Sequence, residues 1–241
     1  MDDELFIKGL KINWNEISQD SYLRSIEALS QLKELEFHKP ITFFVGENGS
    51  GKSTLLEAIA IAYGFNPEGG TRNYSFSTYD SHSELYDHLI LIKGYRHSSW
   101  GYFLRAESFY NVASKEEEYG KLSPKGSMHY HYKSHGESFL AMAQDNLKGN
   151  GLYIFDEPEA ALSPQRQLTL LLEINNSVKQ GSQFIIATHS PILLGMPESE
   201  ILSFDGKIQP IDYEDTESYK ITKMFINDRK RILDQLLDEE E

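Results

Sequence analysis

The order of apolar and polar segments along the chain predicts strands that alternate with helices. Short apolar runs bounded by glycine or polar residues predict buried strands over residues 41–45, 152–155 and 184–187. Apolar residues at helical spacing predict helices over residues 55–60 and 168–178. Strands that alternate with helices are typical of a parallel sheet covered on both faces. The pattern therefore predicts an α/β fold with a mostly parallel sheet.

The remaining segments are less regular. Loose alternation predicts a first strand over residues 4–12, and an uncertain, partly helical stretch follows it to about Leu35. Apolar residues from Phe139 to Leu147 predict another helix, and residues 216–237 predict a final amphipathic helix. We expect residues 1–241 to form a single domain.

Residues 66–133 are expected to form a small lid or inserted subdomain. This segment begins polar and turn-rich, and its last part is charged and rich in glycine and serine. Two apolar runs inside it, at 89–92 and 101–104, predict strands that pair with each other across the polar segment 96–99.

Composition narrows the class of protein. Of the 241 residues 39% are apolar, which is enough for a core, so wholesale disorder is excluded. The absence of cysteine excludes disulfides and thiolate metal sites and suits a reducing cytosol, so we expect a cytoplasmic protein. A net charge of −14 opposes binding to nucleic acid, so we expect no nucleic-acid partner. The acidic start and the lack of an apolar run of ~20 residues predict no signal peptide and no direct membrane contact.

A glycine-rich loop carries the strongest chemical signal. It matches G-x-x-x-x-G-K-[ST] and lies between a predicted strand and a predicted helix, as a phosphate-binding loop must. Its residues are Gly46, Glu47, Asn48, Gly49, Ser50, Gly51, Lys52, Ser53 and Thr54. In such a loop the backbone N–H groups and the positive end of the helix face a phosphate chain. We expect Lys52 to project from a surface loop toward the β- and γ-phosphates and Ser53 to bind Mg²⁺.

Two carboxylates end the predicted strand 152–155. The carboxyl ends of parallel strands meet at one edge of a sheet, so Asp156 and Glu157 should lie beside the phosphate loop. We expect Asp156 to hold Mg²⁺ through a coordinated water and Glu157 to orient the water that attacks the γ-phosphate. Ser163 should cap a helix that begins at Pro164.

These motifs resemble those of ABC-type ATPases, in the order of that family. The segments that look like its Walker A, Walker B, D-loop and switch histidine are 46–54, 156–158, 160–163 and 188–191. The resemblance covers most of residues 1–210. It is strongest to the small, stand-alone ATPases of bacteria, which also share 103–109 and 134–138. The resemblance implies a P-loop fold, ATP with Mg²⁺, and a homodimer that sandwiches two ATP molecules head to tail.

The resemblance also implies roles for individual residues. Segment 134–138 corresponds to the signature, in which Ser134 and the backbone of Gly136 would bind the γ-phosphate of the other subunit's ATP. His135 and Glu137 depart from the usual signature residues, and a plain helix cap is compatible with the same segment. His189 would hydrogen-bond the γ-phosphate and sense its presence.

Several assignments stay open at this stage. Glu107 is expected to contact Mg²⁺ as the counterpart of the family's Q-loop glutamine, with Arg105 as the alternative phosphate or structural contact. Trp14 and Phe6 are as well explained by the core as by adenine stacking. His129 and His131 are thin support for a metal site, and the basic residues 229–231 predict a solvated face.

The motifs themselves do not specify which process the ATPase cycle drives. The resemblance favours an ATP-dependent switch that acts on an unidentified protein partner in regulation or defence. A transporter subunit, a DNA-repair ATPase and a nucleotide-binding module without turnover are the alternatives. The interval of about 80 residues between loop and signature is too short for the coiled-coil arms of repair ATPases.

Overall fold

The computed structural model describes residues 5–71, 83–105, 140 and 144–237. Within these ranges the strands are β1 (Ile7–Ile12), β2 (Glu34–Glu36), β3 (Ile41–Val45), β4 (Gly70–Thr71), β5 (Leu89–Lys93), β6 (Trp100–Arg105), β7 (Gly151–Asp156), β8 (Gln183–Ala187), β9 (Glu200–Ser203) and β10 (Gln209–Pro210). The α-helices are α1 (Glu27–Ser30), α2 (Lys52–Tyr63), α3 (Pro164–Lys179), α4 (Pro191–Leu194), α5 (Glu217–Asn227) and α6 (Arg229–Leu237). Short 3-10 helices cover Tyr22–Ser25, Glu84–His88, Pro158–Ala161 and Tyr213–Asp215.

Seven of the described strands form one sheet in the order β10-β9-β3-β8-β7-β6-β4. The five strands from β9 to β6 run parallel to one another. The two outer strands, β10 and β4, are antiparallel to their neighbours. The predicted α/β fold with a mostly parallel sheet is therefore confirmed.

The central strands are buried on both faces. Every residue of β3, β7 and β8 is buried, and alternate side chains enter opposite cores. Phe44 belongs to the core that includes residues of α2 and β1, whereas Phe43 belongs to the core that includes residues of α3 and α4. Each large apolar side chain buried in this way contributes about 1.5–3 kcal/mol. This burial fixes the strand ends that carry the site.

A second, three-stranded sheet in the order β2-β1-β5 lies over α2. The buried side chain of Gln183, at the start of β8, ties it to the main sheet. Its carbonyl oxygen accepts the N–H groups of Phe6 and Ile7 at 2.8 and 2.9 Å, and its amide donates to the carbonyl of Ile7 at 2.8 Å. Because all three bonds are made, burying the amide carries little penalty.

Two predictions about elements were wrong. Strand β5 does not pair with β6: β5 pairs with β1, and β6 pairs with β7. The described parts of the expected lid, 66–71 and 83–105, thus contribute strands to the two sheets. The predicted helix 216–237 is divided at Asp228, whose φ of −140° and ψ of 42° interrupt it between α5 and α6.

Candidate functional site

The parallel register brings four strand ends to one edge of the main sheet. Ala187 pairs with Phe44 on one side and with Asp156 on the other, and Asp156 pairs with Arg105. The segments that follow β3, β8 and β7 therefore begin side by side, next to the end of β6. This is the edge at which ligands bind in parallel α/β sheets.

The glycine-rich loop connects β3 to α2, and its glycines are required by geometry. Gly46, Gly49 and Gly51 have φ values of 142°, 83° and 98°, which side chains disfavour. A Cβ on Gly51 would lie 2.7 Å from Cγ2 of Ile26, and one on Gly46 would lie 2.9 Å from Oδ1 of Asp205. The loop therefore keeps its tight turn only with glycine at both positions.

Lys52 is folded back into this loop. Its Nζ donates to the carbonyls of Gly46 and Glu47 at 2.6 and 2.8 Å, and the residue is only 4% exposed. The expectation that Lys52 projects from the surface was wrong. Burial lowers the pKa of Lys52 below its usual 10.5, against the opposing attraction of Glu157, Asp205, Asp156 and Glu159. The ammonium thus lies inside the loop, among carboxylates.

Ser53 and Asp156 meet where the helix begins and the strand ends. The Ser53 hydroxyl donates to Oδ1 of Asp156 at 2.9 Å, and Asp156 is buried. A hydroxyl and a carboxylate are oxygen ligands of the kind Mg²⁺ prefers, so these residues fit the ion. In the described ranges no group of three or more His, Asp or Glu forms a metal cage.

Glu157 has a strained backbone. Its φ of 49° and ψ of 53° are left-handed, at a cost of roughly 1–3 kcal/mol for a residue with a side chain. Its N–H donates to the carbonyl of Ala187 at 2.9 Å, which holds this conformation in register with β8. The turn separates Glu157 from Asp156, and its Oε1 lies 3.9 Å from Nε2 of His189.

His189 follows β8 and is held by its backbone. Its N–H donates to Oε1 of Glu159 at 2.6 Å. Its Nε2 is buried and has no hydrogen-bond partner within the described part of the chain. A buried ring nitrogen without a partner at this edge is suited to a ligand atom.

Arg105 makes structural contacts. Its Nη1 lies 2.5 Å from Oε2 of Glu57 on α2, and its Nε lies 4.0 Å from Oδ2 of Asp156. The competing candidate, Glu107, lies outside the described residues. The open choice between these two residues therefore remains a prediction.

Other predicted site residues also lie outside the part of the chain that the structure describes. Ser134, Gly136, His129 and His131 all lie in the undescribed range 106–139, so their roles stay predictions. The structure brings the loop residues, Asp156, Glu157 and His189 to one edge.

The two aromatic candidates for adenine stacking belong to the core region. Phe6 is buried, and Trp14 donates from Nε1 to the carbonyl of Leu32 at 2.6 Å beneath the guanidinium of Arg24. Ser163 occupies the cap position before Pro164, although its side chain makes no capping bond.

Sequence reasoning missed three carboxylates of the site. Glu57 pairs with Arg105, Glu159 holds the backbone of His189, and Asp205 accepts the N–H of Glu47 at 2.9 Å. Glu159 lies between two recognised motifs, 156–158 and 160–163, and that position was the available signal. Asp205 is separated by 158 residues from the group it binds, and no local pattern marks it.

Several solved structures have similar folds. The SMC head domain from Thermotoga maritima is 13% identical, with a TM-score of 0.47 over 86% of this chain and 100% of that one. A putative metal-chelate type ABC transporter is 20% identical, with a TM-score of 0.47 over 94% and 90%. The ATP-binding cassette of an ABC transporter in its ADP conformation is 17% identical, with a TM-score of 0.47 over 98% and 99%.

No described helix is long and apolar enough to cross a membrane.

The family of the chain is given by its match to a family model. Among curated proteins, none matches this chain in sequence. The model of a family described as AAA domain matches residues 21–241, which include every motif of the site. This match agrees with the resemblance to ABC-type P-loop ATPases, and the chain belongs to the AAA domain family.

Proposed function

We propose that this chain is a Mg²⁺-dependent ATPase that dimerises head to tail on ATP and acts as a switch on a protein partner. The observation that carries the proposal is the convergence of Ser53, Asp156 and Lys52 at the end of the sheet. A hydroxyl, a carboxylate and an ammonium on a glycine loop are the groups that bind a metal–triphosphate.

Different residues of the chain bind the phosphates, hold the metal ion and orient the attacking water. The loop N–H groups and Lys52 bind the phosphate oxygens, for which Lys52 must leave the carbonyls of Gly46 and Glu47. Ser53 and Asp156 hold Mg²⁺, which supplies positive charge to the β- and γ-phosphates when bound. Glu157 orients the attacking water and accepts its proton.

His189 supplies the sensing role in this proposal. Its buried Nε2 lies 3.9 Å from Glu157, so a γ-phosphate bound there would contact both the sensor and the water-orienting carboxylate. Residues 216–218, at the start of α5, line a small cavity together with Gly46 and His189. The start of α5 therefore lies next to the phosphate site, and this proximity supports a switch.

Phosphate release tests the catalytic part. The purified chain should release phosphate from ATP only with Mg²⁺, and Asp156→Asn should reduce that release to background. Glu34→Gln, which removes a carboxylate from the exposed pair with Lys11, is the matched control. Release from wild type no greater than from Asp156→Asn would contradict hydrolysis at this site.

Mixed dimers test the head-to-tail arrangement. Ser134→Arg would damage the signature half of a site, and Lys52→Ala would damage the loop half. Each variant alone should be inactive, whereas a mixture should regain activity, since one composite site per mixed dimer is intact. Inactive mixtures in which mixed dimers are shown to form would contradict action across the interface.

A further inference from the structure

A buried ion pair next to the proposed metal site has no part in the mechanism above. Glu57 and Arg105 lie 2.5 Å apart, and their side chains are 10% and 22% exposed. The Asp156 side chain is 11% exposed and its Oδ2 lies 4.0 Å from Nε of the same guanidinium. Arg105 therefore stands between two buried carboxylates, in closer contact with Glu57.

The fold places these groups by two regular spacings. Glu57 follows Ser53 by four residues on α2, so both side chains project from one face of the helix. Arg105 pairs directly with Asp156 in the parallel register of β6 and β7. One helix face thus presents a hydroxyl to Asp156 and a carboxylate to Arg105.

Glu57 is held at both of its oxygens. Oε2 contacts Arg105, and Oε1 accepts the N–H of Ser83 at 3.3 Å. A buried carboxylate fixed in this way is a permanent partner for the guanidinium, because losing the pair would leave a buried charge without compensation.

The position of Arg105 affects how much of the negative charge of Asp156 is available to Mg²⁺. A guanidinium in full contact with that carboxylate would satisfy its oxygens and compete with a divalent cation for them. We propose that Glu57 is a positioning residue that holds Arg105 back from Asp156 and so leaves the Asp156 carboxylate to Mg²⁺. This inference rests on the proposed function, since it assigns a role within the same metal site.

The test measures the Mg²⁺ concentration that gives half-maximal binding of a fluorescent ATP analogue. In Glu57→Gln the guanidinium loses the charge of the Glu57 carboxylate, and we expect it to move closer to Asp156. The Mg²⁺ midpoint should rise roughly fivefold or more, which corresponds to about 1 kcal/mol. Binding of the analogue without Mg²⁺ should not weaken. Glu34→Gln serves as the control for removing one carboxylate.

The double variant Glu57→Gln with Arg105→Gln separates this role from a structural one. It removes the competing cation and keeps two amides that can bond to each other, so its midpoint should return to the wild-type value or below. A merely structural pair predicts no such return. If Glu57→Gln does not fold, Glu57→Asp takes its place: the shorter carboxylate holds Arg105 less closely, so the Mg²⁺ midpoint should rise there as well, and an unchanged midpoint would overturn the role of Glu57.

The outcomes are distinct. A wild-type midpoint in Glu57→Gln, or a raised midpoint in the double variant, overturns the role of Glu57 and leaves the proposed function intact. A wild-type protein whose binding of the analogue does not depend on Mg²⁺ overturns the proposed metal site and this inference together.

Discussion

The hydroxyl of Ser53 donates a 2.9 Å hydrogen bond to Oδ1 of Asp156, across 103 residues of sequence. The bond joins the first turn of α2 to the end of β7, and both residues are the oxygen ligands proposed for Mg²⁺. The loop and the strand are therefore aligned for the ion by their own contact. Ser53 and Asp156 would hold Mg²⁺ in place of the hydrogen bond that joins them here.

Ser53→Ala should raise the Mg²⁺ requirement for nucleotide binding. Removing one ligand and one orienting bond should weaken the Mg²⁺-dependent part by about 1.4 kcal/mol, which is roughly tenfold in midpoint. A Mg²⁺ titration with a fluorescent ATP analogue measures it. Thr169→Ala, a hydroxyl loss at a partly exposed position of α3, is the control. An unchanged midpoint in Ser53→Ala would remove Ser53 from the metal site.

Lys52→Ala should weaken binding of the ATP analogue strongly. The lost contact is between a cation and phosphate oxygens, worth about 2–3 kcal/mol, so Kd should rise roughly 30- to 150-fold. The carbonyls of Gly46 and Glu47 also lose their donor, so the loop of the empty protein should become less ordered. Equilibrium binding measures the first effect and hydrogen exchange the second.

The matched control for Lys52→Ala is Lys39→Ala. Lys39 forms an exposed pair with Glu198 at 3.2 Å, and such pairs contribute little to stability. Its loss should leave both measurements at the wild-type values. Equal affinity in Lys52→Ala and Lys39→Ala would mean that the glycine loop is not the triphosphate site.

Tyr153→Phe should alter the pH dependence of stability. Burial raises the pKa of Tyr153 to about 12, against a smaller opposing effect of its bond to the Lys148 backbone. The unfolded chain releases this proton near pH 10, before the folded protein does. The stabilisation from Tyr153 is therefore complete below pH 10 and is lost as the pH rises from 10 through about 12.

Urea unfolding of both proteins from pH 7 to 11 checks this prediction. At pH 7 the variant should be less stable by about 1–2 kcal/mol, because the Lys148 N–H loses its bond to the Tyr153 hydroxyl. Above pH 10 the difference should narrow. Tyr22→Phe, at a position 54% exposed, should show neither effect. A difference that stays constant up to pH 11 would contradict a raised pKa.

The sequence predicts the central strands well because each is a continuous apolar run with clear ends. The run 41–45 is strand β3, and 152–155 and 184–187 lie within β7 and β8. Pairing partners carry no such local signal. The runs at 89–92 and 101–104 are adjacent in sequence and predict a hairpin, yet their partners are β1 and β7.

The residues of the site likewise fall into those that the sequence predicts and those that only the folded chain brings together. Residues 46–54 and 156–157 are recognisable because loop and metal chemistry requires fixed types at fixed spacing. Glu57 and Asp205 act on groups 48 and 158 residues away, and only the folded chain brings them there. The buried position of Lys52 was also beyond the sequence, since it depends on which carbonyls the loop presents.

Glu157→Gln should separate binding from hydrolysis. If Glu157 orients the water and accepts its proton, the loss of its charge should slow phosphate release by ~10²- to 10⁴-fold. The backbone bond from Glu157 to Ala187 does not involve the side chain, so the left-handed turn should persist. Lys52 contacts the carbonyls of Gly46 and Glu47 and not Glu157, so the phosphate-binding loop should be unchanged, and one negative charge fewer near the γ-phosphate should favour the ATP-bound state.

The variant should therefore accumulate as an ATP-bound dimer. Light scattering with Mg²⁺-ATP should show doubled mass for Glu157→Gln, a transient or weaker dimer for wild type, and monomer for Lys52→Ala. Glu198→Gln is a matched control, because Glu198 is an exposed glutamate with the same left-handed backbone, φ 57°, just before the amino end of β9. It should behave as wild type. A Glu157→Gln protein that binds ATP and remains monomeric at concentrations well above cellular ones would contradict the head-to-tail dimer and leave residues 134–138 as a helix cap.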